Sequence, residues 1–310
     1  AVTCDDFVQA MADANDHNLD DFKRWYSQSG TPLVRAKMDY DSQAQTATFE
    51  ISQTHPPTAN QKDKEPLLIP IRMALLDPQN GQAMPLFLKE TKKDAASEAT
   101  LELSDETQSF TFYHVSQKPI PSLFRQFSSP VSLEYDYKND DLAFLLAHDT
   151  DAFARWEAGQ KLGISILKKM MQEGEVNDCK QDAKLLIQSF GELLQGNQLE
   201  PALIAVSLRL PSEHYLAQQM RVIEVERIHE ARETLKKWIA GGLRELMLDH
   251  YQRLDDQGPY HFDAKSVGRR SLKNILLSYL MVLDDAQIVT LCFSQYEGQH
   301  NMTDVIAALS

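Results

Sequence analysis

The sequence is short of cysteine, of positive charge and of long apolar runs, and each shortage removes a class of protein. Three cysteines, Cys4, Cys179 and Cys292, are odd in number and far apart. Three buried thiols are therefore expected rather than a disulfide framework, and with them a reducing compartment, the cytoplasm. No run of about 18 apolar residues occurs, so no membrane-spanning helix is expected. The opening "AVTCDDFVQAM" has neither a basic region nor an apolar core and is not expected to act as a secretory signal. Lys and Arg number 31 against 45 Asp and Glu, a net charge of -14. The deficit is uneven, with 13 against 23 over residues 1–150 and 18 against 22 over the remainder. Neither half carries a basic stripe, and an acidic surface repels phosphate. Nucleic acid and membranes are not expected partners.

Motifs that carry chemistry are scarce too. A zinc peptidase helix needs His-Glu-x-x-His, which puts two histidines one turn apart on one face. "HEARE" (229–233) lacks the second histidine, so His229 with Glu233 is at best a two-ligand candidate, and a solvated polar face explains the stretch as well. "DHYQRLDDQGPYHFD" (249–263) holds His250, His261 and four aspartates, but at spacings that match no compact ligand set. An Asp-, Gly- and Pro-bearing loop between helices accounts for it. His114 shares a strand face with Phe110 and Phe112, as a hydrogen-bonded core histidine would. There is no Gly-x-Ser-x-Gly elbow, no Gly-rich loop ending in Lys-Ser/Thr and no Cys-x-x-Cys. "GQKLG" (159–163) falls inside a helical pattern. Asp140-Asp141 and Asp284-Asp285 stand at helix starts, where the dipole favours acids. Phe110, Phe112, Tyr135 and Tyr137 recur at strand spacing and fit a sandwich core.

What is present is ordinary globular material: 310 residues, 43% hydrophobic and 25% charged, enough for two domains. Ten of 13 prolines lie at or before Pro130, and ten of 12 glycines lie after residue 150. Proline is excluded from helix interiors but tolerated at strand edges and turns, so a β-rich first half and a helical second half follow. Val34, Ala36, Met38 and Tyr40 alternate with polar residues, as do Ala47, Phe49 and Ile51 beyond the turn "DSQA"; the pair reads as a hairpin. "PLLIPIRMALLD" (66–77) supplies Ile69, Ile71, Met73 and Leu75 on one face. "DPQNG" turns into "MPLFLKE" (84–90), and "ATLELS" (99–104), "QSFTFYHV" (108–115) and "PVSLEYDY" (130–137) follow. Short strands near ten residues apart read as a small antiparallel sandwich.

From Asp140 the period becomes helical: "DDLAFLLAHD", "TDAFARWEAGQKLGISILKKMMQ", "CKQDAKLLIQSFGELLQGN" and "EPALIAVSLRLP", the last stopping at Pro211. A stretch from Ile223 to Leu254 is either one helix or two broken at Gly241-Gly242. "DAKSVGRRSLKNILLSYLMVL", "DDAQIVTLCFSQY" and "NMTDVIAALS" complete the series. No fixed-period repeat is visible, so an irregular helical solenoid or bundle is expected. The chain opens on Ala1 and ends just after an apolar helix, as an excised piece would. Its end faces, Phe7, Val8 and Met11 at one end and Val305, Ile306 and Leu309 at the other, are expected to be exposed.

"WYSQSGTP" (25–32) resembles the Trp-x-x-Gln-x-Gly-x-Pro signature at the end of the catalytic domain in the gluzincin aminopeptidase family. Trp25, Gln28, Gly30 and Pro32 fill its four positions. "DDFVQAM", "FKRWYSQSGTP", "PLLIPI", "LFRQFSSPVSLEYDY", "AFARWEAGQ", "RRSLKN" and "NMTDVIAALS" resemble the family's bacterial aminopeptidase N branch, in order and across nearly the whole chain. The resemblance implies that 1–30 are the last helices of a thermolysin-like catalytic domain, 31–137 an Ig-like β-sandwich, and 138–310 the first part of a helical superhelical domain. It implies a parent enzyme that removes N-terminal residues, with an alanyl preference, from peptides. There zinc polarises the scissile carbonyl and activates water, and the helical domain caps the site. The family's zinc helix, its glutamate ligand, its substrate-amine motif and its catalytic tyrosine have no counterpart here. No catalytic or metal residue and no cofactor is expected in this chain, and its partners would be the catalytic and N-terminal domains of the same polypeptide. The four signature residues are expected to be structural. Two other readings stand beside this one: a stand-alone sandwich–solenoid interaction module, and an enzyme of another class using dispersed residues such as His250 and His261.

Overall fold

A computed structural model describes residues 2–89, 96–172, 176–196, 199–255, 258, 260–298 and 301–310, with only the backbone described at 176–178. The chain divides into two compact units, Ala1–Tyr137 and Lys138–Ser310.

The first unit opens with α1 (Cys4–Asn15), whose start is closed reciprocally: the Thr3 hydroxyl accepts the Asp6 N–H, and the Asp6 carboxylate accepts the Thr3 N–H. A single helical turn, α2 (Arg24–Ser27), ends before Gly30, and the strands begin at once. β1 (Leu33–Asp41) and β2 (Thr46–Thr54) form the expected hairpin; Asp41 Oδ1 accepts the N–H groups of Gln43 and Ala44 and fixes its turn. β3 (Ile69–Leu76), β4 (Ala99–Leu103), β5 (Thr107–Phe112), β6 (Ile120–Leu123) and β7 (Ser132–Glu134) complete two sheets, ordered β5-β2-β1-β7 and β4-β3-β6. Their inner faces meet on Phe49, Ile51, Ile69, Ile71, Met73, Leu101, Leu103 and Phe112. The Phe49 and Phe112 rings pack edge-on, 5.9 Å apart.

The departures from expectation are local. β7 runs parallel to β1, an exception in an otherwise antiparallel sandwich, and shortens "PVSLEYDY" to a three-residue strand. Val131, Leu133 and Tyr135 still pack on the core. β6, "IPSL", carries a proline and is too short to show a period. "MPLFLKE" forms no strand among its described residues; Ala83 and Leu86 make single bridges to Leu76 and Ala96, and Glu90 lies outside the described residues. His114 is not a core strand residue. It follows β5 in the left-handed region at φ 60°, half-buried, with its ring edge-on to Phe87.

The second unit is helical: α3 (Asn139–His148), α4 (Ala152–Met171), α5 (Val176–Gln195), α6 (Pro201–Ser207), α7 (Glu213–Gln218), α8 (Val225–Leu254), α9 (Ala264–Leu280), α10 (Ala286–Gly298) and α11 (Met302–Leu309). Side-chain caps start several of them, with Asp151, Ser212, Asp263 and Asn301 each accepting the backbone N–H three residues on. α3 packs on α4 and α5, α5 on α8, α8 on α9, and α9 on α6 and α11. α8 runs unbroken through Gly241-Gly242. Burial of Leu235, Ile239, Ala240 and Met247 along one face outweighs the roughly 1 kcal/mol that each glycine costs a helix. α6 stops at Ser207, whose carbonyl would need the N–H that Pro211 lacks, and the next carbonyl, Leu208, accepts the Tyr279 hydroxyl at 2.6 Å. α7, six residues long, is too short to register as a period.

Two expectations about exposure change. All three cysteines are free, but Cys4 is exposed on the first turn of α1, while Cys179 and Cys292 are buried. Phe7 and Met11 are exposed, yet Val8 is buried; Ile306 and Leu309 are exposed, while Val305 is half-buried. Among the described residues no helix is long and apolar enough to cross a membrane.

Candidate functional site

The signature residues gather at the place where α2 hands over to β1. Trp25 Nε1 donates to the Leu68 carbonyl at 2.8 Å and Arg24 to the Pro66 carbonyl at 3.1 Å. Gln28 grips the backbone of Glu65 at both ends of its amide: Nε2 donates to the Glu65 carbonyl (2.9 Å), and Oε1 accepts the Glu65 N–H (2.7 Å). Gly30 sits at φ +91°, a conformation that side chains rarely adopt, and a Cβ there would stand 3.3 Å from Lys64 Nζ and from Thr58 Cγ2. Pro32 is buried, and its carbonyl accepts the Ser132 N–H that begins β7.

Three residues that the sequence did not single out complete this clamp. Gln53 repeats the grip of Gln28 one step along, exchanging two hydrogen bonds with the Leu67 backbone, both at 2.9 Å. Gln61 accepts from the Ser29 N–H and donates to the Ser27 carbonyl. Lys64 Nζ lies between the carbonyls of Ser29 and Pro56. Gln53 was discoverable. It follows Phe49 and Ile51 on the buried face of β2, where a buried amide needs partners. Next to it, His55 has its pKa lowered by burial and then by the charge of Lys64. Gln28→Ala should cost the first unit about 1–2 kcal/mol, the loss of two hydrogen bonds of net 0.5–1.5 each. Urea unfolding followed by Trp25 fluorescence, in a chain with Trp156 and Trp238 replaced by Phe, measures it.

Other segments that carried the family resemblance also hold polar knots. In "LFRQFSSP", Arg125 is buried and donates to Glu98 at 3.0 Å and to the Ser122 hydroxyl at 3.1 Å. Arg72 reaches the other Glu98 oxygen at 2.5–2.6 Å and donates to Gln126. Burial pushes the Glu98 carboxyl up, but the hydrogen bond from Arg72 and the charges of Arg125 and Arg72 outweigh it and hold it below its ordinary value. "RRSLKN" and "NMTDV" meet in the helical unit. Lys273 Nζ, 5% exposed, contacts Asp255 (2.6 Å) and Asp304 (3.3 Å). Asn274 and Asn301 donate to the Asp304 carboxylate, Gln295 donates to the Asp304 carbonyl and to Asn274 Oδ1, and Tyr251 donates to Gln295.

The residues weighed for catalysis are dispersed. His229 pairs with Glu213 at 2.8 Å, which raises its pKa, and not with Glu233, which lies 3.5 Å from Arg232. In the 249–263 stretch, Asp249 pairs with Arg253, Asp255 with Lys273, and Asp263 caps α9; Asp256 lies outside the described residues. His250 is half-buried in α8, its pKa lowered by burial, while His261 is exposed and offers its backbone carbonyl to Arg270. Among the described residues no three His, Cys, Asp or Glu side chains gather as a metal site would require. Asp285 accepts from Arg244 and from the Gln287 N–H, and its pKa falls accordingly. "GQKLG" lies inside α4 with both glycines buried.

Residues 139–310 match a family model described as a domain of unknown function (DUF3458_C) with ARM repeats, and residues 30–136 match one described as DUF3458, with an Ig-like fold. These descriptions agree with the sandwich and the helical solenoid. Over 310 residues the chain is 35% identical to aminopeptidase N of Escherichia coli K12 and 31% identical to that of Caulobacter vibrioides. Each match covers 100% of this chain but only 35% and 34% of the relative, so the chain spans about a third of the length of the curated relatives it matches. Among solved structures it is similar to Legionella pneumophila aminopeptidase A in complex with aspartic acid, with a TM-score of 0.81 and 26% identity over 100% of this chain and 34% of that one.

Proposed function

The chain belongs to the DUF3458_C family of ARM-repeat domains, preceded by a DUF3458 Ig-like sandwich, and from this premise we propose that it is the non-catalytic spacer and partial cap of a zinc aminopeptidase. The observation that carries the reading is end-to-end similarity to aminopeptidase N relatives of which it covers about a third. Residues 1–30 then close the catalytic domain, the sandwich spaces it from the helices, and the helical unit restricts entry to peptides with a free amino end. The partners are the remaining domains of the same polypeptide. Zinc in the parent would polarise the scissile carbonyl and lower the pKa of a bound water. Among the described residues none gather to fit that metal, and His229 in the incomplete motif pairs with Glu213, two donors on an exposed surface. Free thiols, one of them exposed, suit a reducing compartment such as the cytoplasm.

The test is hydrolysis of an alanyl arylamide by the purified 310-residue chain, with zinc quantified on the same sample. Neither turnover nor stoichiometric zinc is expected. Turnover with one tightly held zinc would sink the proposal.

A further inference from the structure

The helical unit contains a cleft of about 530 Å³ between α8, α9, α11 and the turn that follows α6. Its charged side chains are all of one sign, Arg209, Arg232 and Lys236, in a chain whose net charge is -14, and Ser310 lines it as well. Leu210, Ile275 and Ile306 supply an apolar wall, beside the polar side chains of Ser271, Asn274 and Thr303. From this geometry we infer that the cleft binds the carboxylate of a small ligand with an apolar body, such as a hydrophobic amino acid or the C-terminal residue of a peptide.

Three observations support the assignment. The turn is pinned from two sides, because Tyr279, fully buried, donates to the Leu208 carbonyl at 2.6 Å and Arg232 Nε donates to the Pro211 carbonyl at 3.1 Å. The site is therefore formed before a ligand arrives, which spares the cost of ordering it. Among the described residues, neither Arg209 nor Lys236 has a carboxylate within ion-pairing distance, and Lys236 is half-buried. Burial, ahead of the opposing charge of Glu233, makes the Lys236 ammonium costly and lowers its pKa. An arriving carboxylate would offset that cost. Volume and wall together set the ligand's size, since concave sites of a few hundred Å³ with a few convergent polar groups suit small molecules. A bare phosphate would leave the apolar wall unused.

The test is titration of the full 310-residue chain with N-acetyl-L-leucine, its amide, inorganic phosphate, and a short leucine-ending peptide as acid and as amide, followed by calorimetry and by amide NMR shifts at α8 and α9. The acid should bind saturably and its amide at least about tenfold more weakly, the loss of one charge-assisted hydrogen bond. Lys236→Met should abolish binding. Arg209→Gln, on an exposed side chain that folding does not need, should weaken it with the helical CD unchanged. The peptide acid binding as well as N-acetyl-leucine would identify a peptide end as ligand, and weaker peptide binding would identify the free acid; either supports the site. Acid and amide binding alike, phosphate binding as tightly as the acid, or no saturable binding would each overturn it. None of these outcomes depends on the aminopeptidase reading.

Discussion

Asp304→Ala is expected to destabilise the helical unit by about 3–5 kcal/mol, the range for removing one partner of a buried, hydrogen-bonded charge pair. Asp304 is 7% exposed, and its two carboxylate oxygens accept from Lys273, Asn274 and Asn301. Its removal leaves the Lys273 ammonium, 5% exposed, with Asp255 at the edge of the network and the π face of Tyr251 at 5.5 Å. It also takes away the acceptor of Asn301 Nδ2 at the start of α11, although the Asn301 cap on the backbone N–H of residue 304 remains. Asp255→Ala should cost less, because that carboxylate is more exposed and water can replace it. Urea unfolding monitored by far-UV CD separates the two. Equal and small losses would mean that the network is dispensable and that apolar packing between α8 and α9 carries the unit.

Glu98→Ala should be as damaging in the first unit, again about 3–5 kcal/mol, because Arg125 stays buried after its carboxylate is gone. The same carboxylate also helps to hold a strained turn. Phe124, Gln126 and Phe127 all lie in the left-handed region, at φ 53–56°, and such strain costs on the order of 1–3 kcal/mol per residue and persists only where the surroundings impose it, so its release would offset part of the loss. The bonds from Arg72 to Gln126 and Glu98, and from Arg125 to Glu98 and Ser122, are what impose it here. The same carboxylate predicts an acid response. Its folded pKa lies below the ordinary value, so its contribution is complete above the ordinary glutamate pKa of about 4.3 and is lost as pH falls through the lower folded value. Stability of the first unit should therefore fall with acid in the native chain, and the Glu98→Ala chain should show a shallower fall. Parallel pH profiles of the Trp25 unfolding midpoints, both measured in the background with Trp156 and Trp238 replaced by Phe, would refute this.

How much of this was legible depended on what each residue was answering to. Ile69, Ile71, Met73 and Leu75 were readable as one buried face because a strand's period is set locally, and all four are buried. Gly30 and Pro32 were readable as a helix stop, but the grip of Trp25 and Gln28 was not; no local rule says that an amide at 28 will meet a backbone at 65. β6 and α7 were illegible because four and six residues are too few to display a period. The apparent break at Gly241-Gly242 was undecidable from propensity, since the deciding term was burial along the face of α8. His250, His261 and the aspartates around them looked like chemistry because composition suggests clusters, whereas the fold sends Asp249, Asp255 and Asp263 to separate cationic or capping partners.

The clamp at residues 24–32 reads mostly main chain on its far side. Arg24, Trp25 and Gln28 bind carbonyls and an N–H of residues 65–68, and Arg24 also meets the exposed Glu65 carboxylate at 2.9 Å. Gln61 and Lys64 answer from the far side by binding the main chain of residues 27–29. In a saturation library, positions 25, 28 and 30 should accept few residues, while Glu65, exposed, should accept most. Leu67, buried in the core, is constrained for a different reason. A lineage can therefore redraw the surface of that segment freely while keeping the hinge between helix and sheet intact.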